Sequence, residues 1–333
     1  MISSQNQKIL SKLDKKQTRK FRDFLASPYF NSRKVISHLF EIIVKHSPDF
    51  SSMPDDEAVF KVLYPGKTFS RQTIKNLYSE LGNLLKKFTG YEEFSKDEKN
   101  LNRYIGDGLA SLTLFDLSSK HINKCINENK NSLFSLDNLH YEKELYLVLH
   151  SNIGILDRNA ADEHFITRKA LSETLIMAFL KELYYLSMID AIDKIFSHEK
   201  ADTFTDKTLQ AIDIKKILEY AGERKLSAAP LIKIQYYLYY YTVNDISEKE
   251  YIKLKAEFLS AIKLVTGFEK LHFILRMNQI IVTKLVPKNK EFYGEIFRFI
   301  KLLCSFNIFP LEVKVLGRGV YRDFFTTAVI LKE

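Results

Sequence analysis

Apolar residues recur along this chain at intervals of three and four and almost never alternate, a pattern that predicts helices and leaves a sheet without support. Asp14 and Gln17 have the spacing of a capping box, so a helix is expected to start there and to carry Phe21, Phe24 and Leu25 on one face. It should stop at Ser27, because the residue before Pro28 is driven out of the α region. Asn31 or Ser32 is placed to cap a further helix, whose face is Val35, Ile36, Leu39, Phe40, Ile43 and Val44. After a short helix around 58–63, Pro65-Gly66 predicts a turn, and Ser70 caps a longer helix with the stripe Ile74, Leu77, Tyr78, Leu81, Leu84, Leu85 and Phe88. Gly90 is positioned to end it.

The polar stretch from Tyr91 to Lys99, with Ser95 and Glu98 offering another capping box, predicts a boundary between a basic helical N-terminal domain, 1–90, and a second domain, 100–333. There, helical patterns follow one another at about 101–116, 118–130, 137–150, 160–197, 205–222, 228–243, 247–264, 268–285, 289–304 and 317–331. The stretch 160–197 is long for a globular helix, and a bend or break inside it is expected. Helices of this length on short links imply antiparallel pairs stacked side by side. The fold class expected is therefore all-α, a degenerate tetratricopeptide-like α-solenoid preceded by a small helical unit. No faithful repeat consensus is present, only a helix-pair spacing of roughly 30–40 residues.

Composition narrows this picture without changing it. With 46% apolar and 27% charged residues, 11 Gly and 7 Pro, disordered and collagen-like classes are excluded. The 25 Phe and 18 Tyr are expected mainly in helix contacts, including the cluster Tyr236, Tyr237, Tyr239, Tyr240 and Tyr241. The N-terminus has no apolar leader and no stretch is long enough to span a bilayer, so a cytoplasmic, membrane-free protein is expected. Cys125 and Cys304 lack paired spacing and are expected as buried free thiols.

Charge adds the most pointed functional feature. Residues 1–90 hold sixteen Lys and Arg against eight Asp and Glu, almost the whole of the chain's net charge of +9. Lys12, Lys15, Lys16, Arg19, Lys20 and Arg22, with Arg71 and Lys75 on the Ser70 helix, are candidate contacts to the phosphates of a nucleic acid. A solvated helix face is the competing reading. The link Tyr64–Phe69 is too long for a helix-turn-helix turn, which leaves phosphate contact without base readout.

No nucleotide-binding, metalloprotease, hydrolase or kinase motif occurs, and Gly317-Arg318-Gly319 reads as a turn. The eight His show no metal-binding spacing, and His164 beside Asp157, Asp162 and Glu163 reads as a polar helix entry. No catalytic residue, cofactor or metal is expected.

The segment Leu25-Ala-Ser-Pro-Tyr-Phe-Asn31, then Leu63-Tyr-Pro-Gly66 and the capped helix Ser70–Phe88, resembles the opening of an uncharacterised family of large bacterial helical proteins. The parts around Gln235–Leu285 and Tyr321–Glu333 look like that family's tetratricopeptide-like region. The resemblance implies a fold and carries no catalytic residues. Members of that family continue past the position matching Glu333, and Phe324–Lys332 keeps a helical pattern without a C-cap, which fits either a truncated form or a natural terminus that frays. The function expected is a non-enzymatic scaffold that binds another protein on a helical-repeat surface. The alternative is a nucleic-acid-binding protein acting through residues 1–90.

Overall fold

The computed structural model describes residues 4–153, 160–196, 211–224, 226, 228–306 and 329. Among them the chain is all helical, and an isolated bridge between Phe134 and Val265 stands in place of any strand. The chain divides into two compact units, Met1–Leu101 and Asn102–Glu333.

The N-terminal unit contains α1 (Ser4–Leu10), α2 (Lys15–Ala26), α3 (Lys34–Val44), α4 (Asp56–Leu63) and α5 (Arg71–Phe94). Asp14 closes the capping box on α2, its carboxylate accepting from Gln17 N at 2.7 Å while the Gln17 side chain accepts from Asp14 N at 3.0 Å. Gly66 takes a φ of 76°, which glycine adopts without penalty, and Ser70 caps α5 by accepting from Thr73 N. The apolar faces of α2, α3 and α5 meet in an aromatic centre. Phe21 stands edge-on to Phe40 at 4.9 Å, and Phe24 stacks on Phe30 at 4.1 Å. Each such buried ring contributes roughly 1.5–3 kcal/mol.

Three sequence expectations fail here. Asn31 does not cap α3, which starts after Arg33 without a side-chain cap. Asn31 is buried and donates to Leu25 O at 2.9 Å, tying the loop to the end of α2. Gly90 does not end α5, because Tyr91 packs on Phe24 and Phe30 and keeps the helix useful as far as Phe94. Ser95 closes α5 instead of opening the next helix, and Asp97 caps that helix by accepting from Asn100 N at 3.0 Å. The same backbone bond holds the Asp97 carboxyl below its ordinary pKa.

Next come α6 (Glu98–Ser111), α7 (Phe115–Lys130), α8 (Leu136–Ile153), α9 (Ala160–Phe196), α10 (Ile214–Glu223), α11 (Ala229–Val243), α12 (Glu248–Ala261), α13 (Gly267–Ile280) and α14 (Tyr293–Ser305). A π turn, Ile281–Leu285, extends α13. α9 is one helix of 37 residues, so of the bend or break expected there the break is absent. It packs on α8 and on α11. The α7–α8 loop meets the α12–α13 loop through Phe134, whose N–H donates to Leu264 O at 3.0 Å and whose carbonyl accepts from Thr266 N at 3.1 Å. Glu269 reaches back from α13 to accept from Leu136 N at 2.9 Å, at the start of α8.

Four of the five tyrosines of α11 divide between two cores, and Tyr240 is exposed. Tyr237 and Tyr241 join the one built by α11 to α14, and Tyr236 and Tyr239 the one built by α8, α9 and α11. Cys125 is buried as expected, whereas Cys304 is exposed on α14. The expected helix at 317–331 and the turn at Gly317 lie outside the described residues.

Candidate interaction surfaces

α2 turns Phe21, Phe24 and Leu25 inward, and helical spacing puts Lys15, Arg19 and Arg22 on the opposite side. All eight cations singled out in the sequence are exposed. Two of them are already engaged. Lys20 pairs with Glu92 of α5 at 2.7 Å, and Arg22 makes a two-pronged contact with Glu41 of α3 at 2.6 and 3.2 Å, which raises its already high pKa. Lys12, Lys15, Lys16 and Arg19 make no ion pair among the described residues and form the free part of the basic face.

Arg71 and Lys75 belong to a different setting. Lys75 and Lys86, on one side of α5, border a groove of about 290 Å³ beside α1, with Gln5, Asn6, Ser79 and Asn83 as polar neighbours. Asn6 anchors α1 there by donating to Tyr78 O at 3.0 Å, and its amide lies over Gly82, where a Cβ would come within 2.6 Å of it. Arg71 stands one turn before Lys75, outside the lining of the groove.

The C-terminal unit carries an apolar ridge that the sequence reading passed over. α9 carries apolar residues on two sides. One side packs inward with Ile166, Ala170, Leu180 and Leu183. Leu171, Leu175, Ala178, Glu182 and Tyr185 follow one another at alternating steps of four and three on the outer side, the spacing of a helix seam. Leu171, Leu175 and Tyr185 are 57%, 61% and 57% exposed on one side of α9. The heptad step was legible in the sequence, but its exposure depends on which side of α9 meets α8 and α11.

His164 is exposed at the start of α9 and accepts from the Arg168 guanidinium at 2.9 Å, in keeping with a polar helix entry; Asp157 lies outside the described residues. No group of three metal-ligating side chains exists among the described residues, and no helix there is long and apolar enough to cross a membrane. Comparison of the chain with protein-family models, curated proteins and solved structures returns no match, so its function has to be argued from these surfaces.

Proposed function

We propose that this chain is a non-enzymatic interaction protein whose C-terminal unit holds an amphipathic helix of another, acidic protein along the ridge of α9. The observation that carries the reading is the exposed run of Leu171, Leu175 and Tyr185 at seam spacing, which a second helix covers by fitting its side chains between them. Charge supports the choice of partner. Arg168 and Lys181 flank the ridge by helical spacing, which places a cation on either side of the seam for the carboxylates of a partner helix. The neighbour scheme of α11, which touches both α12 and α13, fits the tetratricopeptide-like stacking that belongs to the same proposal.

A photo-crosslinking side chain at position 171 or 175 tests it, with position 57 on the N-terminal unit as the control. The expected result is an acidic protein captured only from the ridge, which, once purified, binds the chain at least about tenfold more weakly after Leu175→Glu. Binding unchanged by Leu175→Glu, or the absence of any ridge-specific partner, overturns the proposal.

A second reading rests on the free cations Lys12, Lys15, Lys16 and Arg19. Under it, the N-terminal unit contacts nucleic-acid phosphates without reading bases. Binding of labelled single- and double-stranded DNA and RNA across a salt series decides it. Affinity that falls steeply with salt and is lost in Lys15→Glu/Arg19→Glu supports this reading, and no binding at low salt removes it.

A further inference from the structure

A cleft of about 580 Å³ opens where the end of α7, the first turns of α8, the middle of α9 and the start of α11 converge. Its apolar walls include Leu133, Leu139, Ile176 and Leu264, and its polar groups gather on one side around Asn129, Glu142 and Glu173. A volume of this size with a few convergent polar groups is typical of a small-molecule site.

The polar side is short of donors. Asn129 is 91% buried. Its Nδ2 donates to Asn138 O at 3.2 Å and to Glu142 Oε2 at 3.3 Å. Those two acceptors fix which end of the amide is nitrogen, since a flipped amide would set oxygen against oxygen. Its Oδ1 is then left buried with no hydrogen-bond partner. A buried acceptor left so calls for an explanation.

The carboxylates add to the deficit. Glu173 holds the Lys169 ammonium at 2.9 Å, while Glu142 has, among the described residues, the Asn129 amide and the Tyr146 hydroxyl as donors. Burial, and then the negative charge of Glu173, raise the Glu142 pKa against the opposing pull of Lys169 and Lys130. Lys130 at the rim turns to Asn127 Oδ1 at 3.3 Å instead. Two carboxylates, one of them committed to a lysine, are too few to hold a metal ion.

We propose that this cleft binds a small organic cation, a primary ammonium on a short apolar chain, with the ammonium donating to Glu142 and Asn129 Oδ1 and the chain lying against Leu139 and Ile176. An ammonium supplies three donors to a site that lacks them, and the apolar walls select a hydrocarbon body over a bare ion.

Calorimetric titration of the full chain with n-hexylammonium, and with hexanol and hexanoate as matched controls, tests the assignment. Hexylammonium is expected to bind at least about tenfold more tightly than hexanol, and hexanoate not at all. Glu142→Gln, which keeps the shape and removes the charge, is expected to weaken hexylammonium by roughly tenfold while circular dichroism stays unchanged. Lys130→Ala, at an exposed position that leaves the packing intact, is expected to tighten it several-fold by removing a competing cation. Equal affinity for hexanol, no heat with hexylammonium, the same heat from calcium alone, or affinity unmoved by both variants overturns the proposal. Should Glu142→Gln not fold, Lys130→Ala decides alone: tighter binding supports the site, and unchanged or weaker binding overturns it.

Discussion

Ile122 of α7 lies directly against the bare backbone of Gly106 in α6, so close that a Cβ at Gly106 would come within 2.8 Å of Ile122 Cγ1. Ile122 is wholly buried and stiff at χ1, so it cannot move aside cheaply. Two residues on, Gly108 has nothing within 4 Å of its own missing Cβ. Gly106→Ala is expected to destabilise the C-terminal unit by about 1–3 kcal/mol, overpacking outweighing helix propensity. Gly108→Ala should stabilise it by about 0.5–1 kcal/mol. Urea titration of both variants checks the opposite signs.

Burial, and then the nearby Arg276, push the His272 pKa down to about 3. Its ring lies tilted against Tyr184 at 4.2 Å and meets the Gln235 amide at 3.2 Å. A histidine whose folded pKa lies below its unfolded value of about 6.5 contributes full stability above that value. The contribution is lost progressively as pH falls from there toward about 3, at no more than about 1.4 kcal/mol per pH unit. His272→Gln is expected to flatten the acid side of a plot of stability against pH, measured by urea midpoints between neutrality and acid; parallel curves would show that His272 does not carry the loss.

The capping box at Asp14 satisfies two backbone groups at once. Asp14→Ala should cost about 1 kcal/mol, whereas Ser32→Ala should cost little, because α3 begins without a side-chain cap. Thermal midpoints of the two variants provide the comparison.

The aromatic centre around Phe21, Phe40 and Phe88 is built entirely from residues before Leu101. Residues 1–101 produced alone are expected to unfold cooperatively with the near-ultraviolet signal of packed rings. A broad, non-cooperative melt would show that this unit needs the rest of the chain.

Helix positions were legible wherever a cap and a stripe lie within a few residues of each other, as at Asp14 with Phe21 and Phe24. The misreadings share a cause, a partner outside the local pattern of cap and stripe. Asn31 looked like a cap but is spent on Leu25, and Gly90 looked like a stop but is followed by Tyr91 packing on Phe24. The basic run was visible, yet the neutralisation of Lys20 by Glu92, 72 residues away, was not. The cleft was invisible for the same reason: Asn129, Glu142 and Glu173 come from three helices and share no local motif.

α9 takes part in two of the three apolar clusters of the C-terminal unit, giving Ile166 and Ala170 to one and Phe179, Leu180, Leu183 and Leu186 to the next. Phe134 ties that second cluster to the third. A continuous helix shared by two cores couples their opening, so the three clusters are expected to behave as one foldon, and loosening any one of them is expected to lower hydrogen-exchange protection in the others.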